Sequence, residues 1–230
     1  MTTARQIKKL VKPLLDRNPD LVQVGPWIVL KPLHHILRAI LIDRTGEAGR
    51  FRVLWGLRTL VDRTDVFSIG WGYRLWPRAP GLWRWDDPTM PDALIDVLEA
   101  TTLPELRPLD TLEKFVAFTS NRERFPSECF EGYHMKRVPV EAALGRLDSA
   151  CWCCDQLLSG KTRWSGLTPE RFSFIATTIC PLLASGDRDG LIKLLHEWEA
   201  YSAKHLGLEG IWEPTPFPIE RMPAPGRATP

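Results

Sequence analysis

Two runs of alternating residues, RFRVLWGLRTL at 50–60 and VFSIGWGYRLW at 66–76, flank the polar stretch DRTD at 62–65. Period two belongs to a strand and not to a helix, because successive strand side chains point to opposite faces. The first run therefore sets Val53, Trp55 and Leu57 on one face and Leu54, Gly56 and Arg58 on the other. In the second run Phe67, Ile69, Trp71, Tyr73 and Leu75 share a face, leaving Gly70, Gly72 and Arg74 opposite. The pair predicts an antiparallel hairpin. Upstream, WIVLKPLHHILRAILID reads as strands at 27–31 and 35–43, and the turn-rich RTGEAGR joins it to the hairpin, so a meander of three or four strands is expected.

Helical spacing brackets this sheet. Ile7, Leu10, Val11, Leu14 and Leu15 predict an amphipathic first helix closed at Asn18-Pro19. From residue 89 onward the period is again helical. Thr89 with Asp92 and Asp110 with Glu113 have capping-box spacing ahead of apolar runs. A longer helix is expected at 139–158 through Val140, Leu144, Leu147, Cys151, Cys154 and Leu158, another starts at Thr168-Pro169, and a last one starts at Asp187 or Asp189. The expected fold class is α+β: an antiparallel three- or four-stranded meander with flanking helices, then an α-helical C-terminal layer. The expected division is a sheet domain at 1–120, a helical region at 121–212, and a proline-rich tail at 213–230 that is extended or disordered.

Composition limits the functional classes. The chain of 230 residues is 44% hydrophobic and 25% charged, and its net charge is only +2, so no basic stripe tracks a phosphate backbone and nucleic acid is not the expected partner. MTTARQIKKLVKPLL lacks the apolar core of a signal peptide, and no apolar run approaches the ~18 residues of a membrane span, so a cytoplasmic protein without membrane contact is expected. The five cysteines are then expected as thiols.

Most motif-like stretches fail on context. SGKT at 159–162 resembles the end of a P-loop, but Asp155 stands where that motif needs glycine. GWGYRL at 70–75 has Leu75 in place of the third glycine of a dinucleotide fingerprint and continues as a strand. In LHEWEAYSAKH, Ala200 stands where a zincin's second histidine belongs. Cys151 and Cys154 share a helix face while Cys153 points elsewhere; a closed metal site would need two further ligands from Cys129, His134 or Cys180, and buried thiols in a helix interface are the better account. Asp86 and Asp87, ahead of Pro88, read as turn and cap residues rather than a catalytic pair. No metal, cofactor or catalytic constellation is expected.

Two candidate surfaces remain. Short turns would align Arg38, Gly56 and Gly70 in one row across three strands, with Arg58 and Ser68 beside them and Gly72 and Arg74 beyond, a glycine-cleared patch where arginines could hold an anion. The turn beyond the hairpin carries Trp76, Trp83 and Trp85, residue types that anchor protein interfaces or stack on sugars. LIDRTGEAGRFRVLW, FSIGWGYRLW, GLWRWDDP and TTLPEL, over residues 1–118, resemble a family of uncharacterised bacterial proteins. The resemblance implies the helix-then-meander fold and transfers no activity. The expected function is that of a non-enzymatic interaction protein, an immunity or accessory factor that binds another protein; the alternative is an anion-binding protein or enzyme that uses the glycine-cleared face.

Overall fold

A computed structural model describes residues 2–77, 81–126, 129–160 and 169–223. The chain is α+β, with an N-terminal helix, an antiparallel sheet and a helical C-terminal part. It divides into two compact units: Met1–Arg58, Val66–Lys114 and Gly207–Glu213 form the first, and Thr59–Asp65, Phe115–Leu206 and Pro214–Pro230 the second.

The first unit opens with α1 (Ala4–Arg17), whose N-cap Thr3 accepts from the Gln6 amide while the Gln6 side chain accepts from the Thr3 amide. This reciprocal cap satisfies amide groups that a helix start leaves open. The helix buries Ile7, Leu10, Val11 and Leu14 and packs on β1 (Leu21–Val24) and α2 (Met90–Val97). Next in the sheet come β2 (Trp27–Leu30), β3 (Ile36–Arg44), β4 (Arg50–Thr59) and β5 (Trp71–Leu75), hydrogen-bonded in that order, and β6 (Trp83–Arg84) pairs with β4 at Arg50 and Phe51. All four residues of β2 are buried. The sheet is thus longer than the predicted meander, gaining β1 and β6. Both are short, and β1 has no alternation over its four residues to announce it.

Beyond the sheet, α2 runs through a π-helical turn at Leu98–Thr102 into α3 (Leu103–Leu106). Neither predicted capping box forms: Thr89 donates its hydroxyl to Asp87 instead of capping α2, and α4 (Leu112–Thr119) is capped by Thr111, whose hydroxyl accepts from the Lys114 amide 3.3 Å away.

The hairpin register also differs from expectation. Gly56 lies opposite Gly72, not Gly70, with Trp55 opposite Tyr73 and Leu57 opposite Trp71. The shift is two residues, so the paired residues 53–57 and 71–75 keep their predicted faces, whereas Ile69, ahead of β5, turns its methyl onto the glycine face instead of the face of Trp71. The predicted register presumed a short turn, but residues 60–70 separate β4 from β5. Residues 59–65 belong to the second unit, where Asp62 pairs with Arg171, the Thr64 amide donates to Ser202 Oγ at 3.1 Å, and Arg63 stacks on Tyr201 at 3.7 Å.

The second unit contains, besides α4 from Phe115 onward, α5 (His134–Ala143), α6 (Leu147–Leu158), α7 (Pro169–Ser185) and α8 (Arg188–His205). The single helix predicted at 139–158 is broken, because Gly145 adopts φ +73°, the left-handed conformation that ends a helix. Buried Glu141 accepts from Arg137 of its own helix and from Arg146 beyond the break, closing the corner with two ion pairs. Asp187 caps α8 by accepting from the Gly190 amide at 2.9 Å.

Two expectations are corrected here. Cys154 of α6 and Cys180 of α7 form a disulfide, whereas all cysteines were expected as thiols. The start of the proline-rich tail is ordered: Phe217 and Ile219 are buried, Pro218–Arg221 forms a 3₁₀ turn, and Glu220 accepts from both the Phe217 amide and His196 Nε2. Prolines exclude a long helix, yet one apolar ring every few residues is enough to dock a segment. Residues 224–230 lie outside the described chain.

Candidate functional site

The glycine-cleared patch is built as an internal contact. At the Gly56–Gly72 pair the two strand backbones approach so closely that a methyl placed on Gly56 would lie 2.7 Å from the Gly72 Cα, and closer still to the Trp71 carbonyl and to Ile69 Cγ2. The missing side chains make room for the partner strand and the Ile69 methyl. Gly70 falls outside β5, its amide donating to the Leu57 carbonyl at 3.0 Å.

The arginines of that patch part company. Arg38 is buried and donates to the carbonyls of Arg107 at 2.9 Å and Pro32 at 2.8 Å. Burial lowers its affinity for the proton, against the opposing charges of Asp110 and Asp20. Arg58, also buried, donates to the Val66 carbonyl and to Ser68 Oγ. Arg74 lays its guanidinium over the Trp76 ring at 3.7 Å. Arg38 and Arg58 thus hold backbone carbonyls, and Arg74 braces an exposed indole.

The three tryptophans of the turn also separate. Trp83 is 3% exposed and donates its indole N–H to the Leu75 carbonyl at 2.9 Å. Trp85 is half-buried, its ring tilted against Phe51 with centroids 4.5 Å apart, and it donates to Thr2 Oγ at 2.9 Å. Trp76 alone of the three stands out, at 56% exposed. The alternation of the strand places Trp71 in the core at 3% exposed, as its predicted face required.

A groove begins at Pro77, the residue after Trp76. It holds about 560 Å³ and is lined by Pro77, Leu82, Trp83 and Arg84 on one side and by Met90, Ala93 and Val97 of α2 on the other, with Asp87, Thr89 and Asp96 at its polar edge. Its local chemistry is set by the turn before α2. Arg84 donates twice to Asp86, at 2.9 and 2.7 Å, and this hydrogen bonding holds the Asp86 carboxyl below its ordinary range. Asp87 accepts from the Thr89 hydroxyl and amide, which lower its proton affinity likewise. Both carboxylates are therefore ionised at neutral pH and engaged as turn residues, the role the sequence indicated. The groove is lined by apolar and polar groups in similar measure, with Asp87 and Asp96 as its anionic members, and among the described residues that line it there is no nucleophile–base pair.

Sequence reasoning missed the α2 side of this groove. Met90, Ala93 and Val97 follow i, i+3, i+7 spacing, a second apolar stripe beside the core-facing Leu94 and Leu98. That widened apolar arc was the available signal.

Other sequence features resolve simply. Among the described residues no group of three or more His, Cys, Asp or Glu side chains is placed to hold a metal ion. His196 faces Glu220 and not a second histidine. Lys161 and Thr162 of the SGKT stretch, and Thr168, lie outside the described residues. Among the described residues no helix is long and apolar enough to cross a membrane. Compared with protein-family profiles, curated proteins and solved structures, the chain matches none, so the functional reading rests on this geometry alone.

Proposed function

We propose that the protein is a non-enzymatic interaction factor, of the immunity or accessory kind, that grips a segment of a partner protein in the groove between β6 and α2. One observation carries this reading: a groove of about 560 Å³ of mixed apolar and polar lining that begins at Pro77, next in the chain to Trp76, an indole that stays exposed yet is braced by Arg74. A ring held rigid before binding loses little entropy on contact, which is why Trp and Arg dominate interface energetics. Asp87 and Asp96 at the edge suit a partner segment that combines an apolar anchor with a basic residue. The proposed setting is the cytoplasm.

Capture from native lysate tests the reading. The wild-type chain is expected to retain a stoichiometric partner, Ala93→Arg to lose it by filling the trough, and Trp76→Ala to weaken it by about 2 kcal/mol or more. Circular dichroism of each variant checks the fold. Failure to recover any stoichiometric partner, or recovery undiminished by Ala93→Arg, overturns the proposal.

The anion-binding alternative has less support. Arg38 and Arg58 are turned onto backbone carbonyls, and the Ile69 methyl fills the space that the glycines clear.

A further inference from the structure

The interaction reading leaves the cysteine cluster unused. The Cys154–Cys180 disulfide joins α6 to α7, and its two residues are only 4% and 5% exposed, so an external thiol has poor access to either sulfur. Cys151 differs from them in being partly exposed. It lies three residues before Cys154 on α6, hence on the same helix face. Its Sγ is 3.9 Å from the carbonyl of Leu183, three residues beyond Cys180 on α7. The two cysteines of α6 therefore look onto one stripe of α7. Helix geometry sets Cα atoms three residues apart at about 5 Å, inside the roughly 4.4–6.8 Å span that a disulfide bridges.

We infer that Cys151 is the relay thiol through which the buried Cys154–Cys180 disulfide exchanges with an external dithiol reductant. Cys151 Sγ gives up its proton and attacks Cys154 Sγ. The Cys151–Cys154 bond forms as the Cys154–Cys180 bond breaks, and Cys180 leaves as a thiolate that takes up a proton. No electrons are gained or lost in this step. The new disulfide lies wholly on α6, with its Cys151 sulfur partly exposed. A dithiol then supplies two electrons and two protons, becoming a cyclic disulfide while Cys151 and Cys154 return to thiols. Cys153 takes no part: it is fully buried, and that burial pushes its thiol up to about 11. Burial and the nearby Asp155 and Asp148 also raise Cys151, so its attack quickens as pH rises.

The experiment is native-state reduction of the full chain by dithiothreitol, with acid quenching, alkylation and mass spectrometry of the cysteine peptides. Reduction of the Cys154–Cys180 link is expected to slow by about tenfold or more in both Cys151→Ser and Cys151→Ala while Cys153→Ser keeps the wild-type rate. Equal melting temperatures of the oxidised variants would assign the slowing to exchange rather than opening. A quenched Cys151–Cys154 peptide in the wild type alone would show the intermediate. Reduction of Cys151→Ser at the wild-type rate overturns the relay, and so does purified protein whose five cysteines all alkylate without reductant.

Discussion

Gly56 and Gly72 show what one missing Cβ does. Each was legible as a cleared position, but only the fold says what fills the clearing. Because the obstruction at both is mainly strand backbone, which cannot rotate away as a side chain can, Gly56→Ala and Gly72→Ala should each lower stability by about 1–3 kcal/mol, as measured by denaturant unfolding. Equal stability of either variant with wild type would mean the strands lie further apart. Arg38 makes the complementary case. Removing its guanidinium leaves the buried carbonyls of Arg107 and Pro32 without their donor, so Arg38→Met should cost about 2–4 kcal/mol although it retains the apolar stem. An arginine in a strand pattern reads as an anion grip or as a solvated face; nothing in its spacing discloses a carbonyl presented by a segment 69 residues away.

Among elements, the residue before β1 and the C-cap of α3 are joined by a charge contact suited to a pH test. Arg107 donates from Nε to Asp20 at 2.8 Å, and this hydrogen bond lowers the Asp20 carboxyl below its ordinary value. A carboxyl depressed in the folded state stabilises it above the unfolded value near 3.8, and that contribution disappears as pH falls through the folded value. Melting temperature against pH should therefore drop less steeply below pH ~4 in Asp20→Asn than in wild type; parallel curves would refute the linkage. The tail supplies a packing test. Phe217, fully buried within the second unit, should cost about 3–5 kcal/mol when replaced by alanine, read by unfolding of the full chain. A negligible loss would show the tail to be dispensable. Proline count correctly excluded an α-helix or a central strand from residues 213–223 but was silent on docking and on the 3₁₀ turn at Pro218–Arg221, because one ring burying its surface outweighs the conformational preference of its neighbours.

For the whole molecule, the disulfide adds a constraint that composition argued against. It closes a loop of 26 residues in sequence, so by chain entropy Cys180→Ser should destabilise the second unit by about 3–4 kcal/mol. Hydrogen exchange resolves the effect by segment: protection should fall in α6 and α7 while β2 and β3 of the first unit keep theirs. Protection unchanged in α6 and α7 would refute the constraint.

Sequence alone determined the α+β class, the first helix and the faces of the paired hairpin residues 53–57 and 71–75, since period two and period 3.6 are local properties of the chain. It could also separate Trp71, on the core-facing side of its strand, from the tryptophans of the turn beyond. The tertiary structure decided the register, which no tight turn fixes because residues 60–70 separate β4 from β5. It likewise decided which arginines serve carbonyls, which tryptophan remains exposed, and that α2 turns a second apolar stripe toward β6 to form the groove. Each of these depends on a partner distant along the chain, and alternation or helical spacing reports only which face a residue occupies, never what that face meets.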